Sequence, residues 1–455
     1  MRAWRELVGV IAAAAISAGS LGCAGHEDRT RTALAALDRG ATREAIMALD
    51  VELGVERQED LPQLKGDNAL LLLDRATVQQ GLDRFELSAR DFGAADKAID
   101  LLDMSRTGAD DLGKYLFSDS AGPYRAPAYE KLLVNTINLV NYLALHDLSG
   151  AKVEARRLAV MQKYVRDHQE ESGLVGLGSY LAGLAFEKSG DEAEALGYYE
   201  DALKYAGYRS LREPLRALTR GRPRSRGIDA LVNSGGGAGP QPPVGEAGDA
   251  ELVVIVGFGR VPQKEPVRVP IGLALTMVSG DLAAGDAARA NALAAKGLVT
   301  WVNYPVLRPG RGGYSIPSFF LDGRPQSMEE AIDVESEVVE AWHKKEGTIV
   351  LAAITRMIAR MVAGEIAEGV TSAAAGKNGG ALGLLAGLAT TATMAAFDTP
   401  DTRCWSTLPA RIAIARLRVP AGKHQIQLGA RGQSKQVEVT LDRGGWALVP
   451  LMVLH

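Results

Sequence analysis

The hydrophobic pattern of this 455-residue chain changes period along its length, and that change constrains the fold more than any motif does. From residue 30 to residue 220, apolar side chains recur at the spacing of amphipathic helices, with few β-branched runs. From Ala410 to Leu454 they alternate: Ile412, Ile414, Leu417 and Val419, then Ile426 and Leu428, then Val437, Val439 and Leu441, then Trp446, Leu448 and Leu451. Pro420 to Lys423 and Arg443 to Gly445 supply the turns. A helical period and a strand period bury different faces, so the chain is expected to be an α+β multidomain protein with a small C-terminal antiparallel β module, sandwich-like, over 410–455.

The clearest helical unit runs from Ser179 to Tyr205, two helices joined at Gly190 and Asp191. Gly183, Phe186, Ala195, Tyr199 and Ala202 fall at the spacing of the tetratricopeptide repeat. The logic is steric: Gly183 and Ala195 are small where antiparallel helices touch, and Phe186 and Tyr199 fill the space beside them. Tyr142 and Ala151 repeat the nine-residue offset of Phe186 and Ala195. Leu70–Met104 and Leu34–Leu49 read as further pairs. Stacked pairs are expected to form a tetratricopeptide-like α-solenoid over 30–220, with a groove for a protein partner or a purely scaffolding role.

The Gly/Pro-rich stretch 221–249 reads as a linker, and its nearby arginines as a solvated surface. A mixed α/β region is expected over 250–409. Leu252–Val256 is a buried-strand run, and Val299–Leu307 and Tyr314–Leu321 are further strands. Gly257-Phe258-Gly259 lacks the third glycine and helix of a dinucleotide site. Helices are expected over Ser327–Lys345 and Thr348–Ala367, followed by Ala381–Phe397, which carries no charge. Gly383 and Gly387, four apart, would let helix backbones approach in a hairpin over 348–397. That hairpin packs against protein or, alternatively, touches membrane or assembles copies into a homo-oligomer.

The first residues carry an address. Arg2 and Arg5 precede an apolar stretch from Leu7 to Ala18, and small residues lead to Gly22-Cys23. This is a signal-peptide pattern over 1–22. Ser20 to Cys23 resembles the bacterial lipobox, with Ser20 and Leu21 in the reverse of its usual order. The resemblance implies acylation of Cys23, a lipidated N-terminus over 23–29, and anchoring in the bilayer by acyl chains. By resemblance to the sorting rule of enteric bacteria, Ala24 rather than Asp after the cysteine implies the outer membrane, with the chain on its periplasmic face.

Chemistry is sparse. The net charge of −4 gives no reason to expect a nucleic-acid ligand. None of the six histidines pairs with another His or Cys at metal-ligand spacing, so no metal is expected. There is no nucleophile elbow, Walker loop or zinc-protease motif. The chain is therefore read as a non-enzyme with no cofactor. Cys404 reads as a buried small hydrophobe, Trp405 and Trp446 as core anchors, and Glu130, Glu154, Arg156 and Arg157 as a polar cluster between repeats.

Three segments carry a family resemblance. One holds Tyr129, Glu130, Asn141, Tyr142, Glu154, Ala155 and Arg156. The second holds Asp401, Thr402, Arg403, Trp405, Leu408 and Pro409, and the third is VPAGKHQIQLGARGQ with GGWALVPL. Together they resemble a family of poorly characterised proteobacterial outer-membrane lipoproteins with tetratricopeptide-like helices and a β-rich end. The resemblance implies a membrane-tethered periplasmic protein that works with envelope proteins in cell-envelope assembly or maintenance. It implies no catalytic site, and it would place Ser where Cys404 stands.

Overall fold

The computed structural model describes residues 25–104, 124, 126–167, 173–234, 250–270, 273–274, 301–308, 310, 314–374 and 399–455. Cys23 and the glycines at 383 and 387 lie outside them.

The first half is helical. Among the described residues, eight helices run in order: α1 (His26–Asp38), α2 (Thr42–Leu53), α3 (Asn68–Gly81), α4 (Phe85–Met104), α5 (Ala128–Ala144), α6 (Leu148–Asp167), α7 (Val175–Lys188) and α8 (Glu192–Tyr205). Successive helices pack as pairs, and each pair packs on the next. Gly40 and Gly190 take left-handed backbone at the α1–α2 and α7–α8 turns, where a side chain would be strained. Two short helices follow, α9 (Arg212–Leu218) and α10 (Arg226–Asn233). The latter corrects the expectation of a linker from residue 221: Ser225 caps α10 by accepting from the Ile228 N–H, and Ile228 and Val232 are buried.

The second half contains β1 (Ala250–Phe258), β2 (Lys264–Pro270), β3 (Trp301–Leu307), β4 (Ser318–Leu321), β5 (Arg324–Gln326), β6 (Glu329–Asp333), α11 (Val334–Ala374), β7 (Arg411–Val419), β8 (Gly422–Ala430), β9 (Gln433–Leu441) and β10 (Trp446–Val453). Two sheets of four strands form, ordered β10-β1-β7-β6 and β5-β4-β8-β9, and β2-β3 makes a separate ribbon. The tail is thus not a self-contained four-stranded antiparallel module. β7 and β10 flank β1, antiparallel and parallel respectively, while β8 and β9 form a hairpin beside β4. Alternation fixes which face a strand buries but not which strand lies beside it.

Residues 327–374 also depart from expectation. Glu329–Asp333 is a strand paired with β7, because tertiary pairing overrides its weak local preference. One continuous helix then follows where two were expected, and Gly347 sits inside it.

The layers explain β1. Leu252, Val254 and Val256 point into the core between the two sheets, with Ala413, Leu428 and Val449. Val253 and Ile255 point the other way, into the helical core, with Ile412, Ile414 and Leu448. Every residue of β1 is buried, as a strand covered on both faces requires. Helices, first sheet and second sheet therefore form three layers, and the first sheet's outer face belongs to the same apolar cluster as the helices. Val350, Ala353 and Ile354 of α11 pack on the β2-β3 ribbon.

Candidate functional site

The segment that leads into β7, residues 401–409, threads between the helices and the β1–β2 connection. Trp405 is fully buried, its ring edge-on to Phe92 of α4 at 5.6 Å. Its backbone N–H donates to Glu130 Oε1 of α5 (3.0 Å), and its indole N–H donates to Thr77 Oγ1 of α3 (3.0 Å). The Tyr124 hydroxyl donates to the other Glu130 oxygen (2.6 Å). Thr407 donates its backbone N–H and its hydroxyl to Asp74 Oδ1 of α3 (2.8 and 2.9 Å). His26, the first residue of α1, donates from Nε2 to the Cys404 carbonyl (3.0 Å). Arg403 grips Asp401 through Nε (2.7 Å) and reaches Asp67, just before α3, through Nη1 (3.0 Å). On the opposite side, the Val261 N–H donates to the Leu408 carbonyl (3.0 Å) and Lys264 Nζ to the Arg403 carbonyl (3.0 Å).

Histidine, aspartate, cysteine, serine and threonine thus stand together, a set that could resemble a nucleophilic centre. Burial decides against it. His26, Asp74, Cys404, Ser406 and Thr407 are all buried. Burial pushes the Cys404 thiol up to about 11, which suppresses the thiolate. It also lowers His26 to about 4 and lifts Asp74 to about 7. The His26–Asp74 approach of 3.8 Å is therefore not an ion pair at neutral pH. Burial raises Glu130 as well, while the Trp405 N–H and Tyr124 O–H pull the other way. The cluster is a polar seam that docks one stretch of chain against four helices.

Its titration has a measurable consequence. Asp74 holds a proton in the folded chain that the unfolded chain releases near pH ~4, so its contribution is full below that pH and declines as pH rises towards 7. His26 runs the opposite way: its contribution is full above about pH 6.5 and is lost as pH falls towards 4. Replacing Asp74→Asn keeps an acceptor for Thr407 and removes one titration. Relative to wild type, this variant should gain stability as pH is raised from about 4 to about 8 in urea melts. A difference that does not change with pH would refute this reading.

A second seam lies between α7, α8 and the first sheet. Arg416 of β7 is buried and projects into the helices. It donates to Tyr199 Oη (2.9 Å), to Glu187 Oε1 (2.6 Å) and to Glu251 of β1. Lys188 bonds Glu251 (2.7 Å) and Glu187 (2.9 Å), and the Tyr199 hydroxyl donates to Glu187 Oε2 (2.5 Å). Burial would raise Glu187, but Arg416 and Lys188 outweigh it and hold that carboxyl at about 2. A third buried guanidinium, Arg75, forks onto Asp91 (2.7 and 3.0 Å) and reaches Asp50 (3.1 Å) within the helical half.

The residues singled out in the sequence fall beside these seams. A Cβ on Gly183 would stand 2.6 Å from the Tyr199 ring, so those two helices meet there by direct contact. Ala195, Tyr199 and Ala202 are fully buried, and Phe186 stacks on Tyr198 at 5.3 Å. Ala151 is buried, whereas Tyr142 is half-buried against Gly150. Glu130 and Glu154 do not share a cluster: Glu154 accepts from Asn135 (2.7 Å), while Glu130 serves Trp405. Sequence reasoning missed His26, Asp74 and Arg416. Only the last two leave a signal, a charge inside the apolar run of α3 and a charge in the apolar row of β7.

Among the described residues, no group of three His, Cys, Asp or Glu could hold a metal ion, and no helix is long and apolar enough to cross a membrane. An open cleft of about 770 Å³ is lined by Tyr314, Glu335, His343 and Arg411 among others. His343 is exposed there, with Nδ1 3.6 Å from Glu346. Comparison with protein-family models and with curated proteins finds no match to this chain.

Proposed function

We propose that the chain is a lipid-tethered periplasmic scaffold of the outer membrane, an adaptor that holds envelope proteins in cell-envelope assembly or maintenance. One observation carries this reading: residues 401–409 lie buried across α1, α3, α4 and α5, with Trp405 at the centre. In this reading the four helix pairs are a tetratricopeptide-like solenoid, and its peptide-holding surface is used in cis. The helices and β-sandwich become one rigid body whose reactive side chains are spent on internal contacts. The partner therefore meets an outer surface rather than the filled groove. Such a body suits positioning better than turnover.

The tether is tested by growing cells with a radioactive fatty acid, comparing wild type with Cys23→Ala, and fractionating the membranes. Label that disappears with Cys23 and co-sediments with outer membrane is the expected result. Unlabelled wild-type protein released in soluble form would end the tethered reading.

A further inference from the structure

One end of the helical half gathers the features that a bilayer would meet. Arg29, in the first turn of α1, donates to the Glu52 carbonyl at the end of α2 (2.7 Å) and to Asn68 Oδ1 at the start of α3 (2.8 Å). Three helix ends therefore lie together. The connection from α2 to α3 folds back on the same place, since Asn68 donates from Nδ2 to the Gln63 carbonyl (2.8 Å). Val51, Leu61 and Leu64 stand on this end with 77%, 48% and 40% of their surface exposed. Aliphatic side chains that open to water at a tethered end suit a bilayer.

The start of the chain fixes that occupant. Cys23 precedes His26 by three residues, and three residues span at most about 11 Å. At the same end the Cys404 carbonyl meets His26 and Arg403 meets Asp67. An acylated Cys23 thus holds this end within roughly one helix diameter of the bilayer.

We propose that the end of the helical half carrying Val51, Leu61 and Leu64 rests on the surface of the membrane that holds the Cys23 acyl chains. This rests on the tethered reading given above and adds an orientation to it. The contact is apolar: Glu52, Glu56, Glu59 and Asp60 outnumber Arg57 and Lys65 in the same segment, so no basic surplus calls for anionic lipid. The β8–β9 hairpin, in the outer layer of the sandwich, stays in water.

The test is amide hydrogen exchange on the acylated full chain bound to phosphatidylcholine vesicles, compared with the soluble Cys23→Ala chain. Exchange across 51–66 should slow several-fold on vesicles, with 422–441 unchanged. Protection should fall in a Leu61→Ser, Leu64→Ser double variant that still sediments with the vesicles; both positions are exposed, so the fold does not depend on them. Vesicle-bound wild type with unprotected 51–66 would overturn the orientation and leave the tether standing. Wild type that neither carries acyl chains nor sediments would overturn both.

Discussion

Replacing Arg416→Met is expected to lower the unfolding free energy by about 3–5 kcal/mol, because it leaves Glu187 and Glu251 to share the single charge of Lys188. Glu187 and Glu251 both take their guanidinium bonds from this one side chain. Lys188 reaches both but can neutralise only one charge. The loss is an effect of leaving charge uncompensated, not the net worth of the network. A double variant, Arg416→Met with Glu187→Gln, leaves the Lys188–Glu251 pair balanced and should therefore recover much of the loss. Urea denaturation of the single and double variants checks this, and equal instability in both would mean that packing around Arg416, not charge, dominates.

Trp405→Ala is the second large effect. Truncating a fully buried indole costs about 3–5 kcal/mol through lost transfer energy and the remaining cavity. Thr77 also loses a donor, whereas Glu130 keeps the backbone N–H at position 405. The consequence should exceed local softening. The seam ties α3, α4 and α5 to the strand that follows, so proteolysis within 399–410 should accelerate together with cleavage of the helical half. Trp405→Phe keeps most of the apolar volume and should lose less. An alanine variant with an unchanged denaturation midpoint would contradict the docking role given to this segment.

These effects alter how the two halves must be tested. Removing residues 30–215 looks like a clean domain deletion in sequence. In the structure it uncovers Val253, Ile255, Ile412 and Ile414, and it strips Arg416 of Glu187 and Tyr199. Loss of partner binding after that deletion would report unfolding. Surface substitutions on exposed helix faces, such as Val160 of α6, are the sounder route to a partner.

What the sequence shows, and what it hides, follows from range. The Gly183–Tyr199 contact is legible because both residues lie in one helical pair, where spacing alone brings them together. β1 is legible as buried because its apolar run does not alternate. Strand positions in the tail are legible too, but not their neighbours: β10 lies parallel to β1, almost two hundred residues earlier, and only tertiary packing decides that. Trp405 is legible as an anchor, yet its partners Thr77, Phe92 and Glu130 come from three helices far upstream. His26 gives no local sign, since a polar residue three positions after Cys23 reads as part of a solvated leader. β6 is obscured because acidic residues dominate its five positions and read as a helix start.

The central claim is that the helices and the β-sandwich are one body, clamped by residues 401–409. Native-state hydrogen exchange in increasing urea tests it most directly, following the slowest amides of α3 and α7 beside those of β1 and β8. The account predicts a single opening, with the same free energy and the same urea dependence for all four elements. Protection of β1 and β8 that persists after α3 and α7 have opened would contradict it.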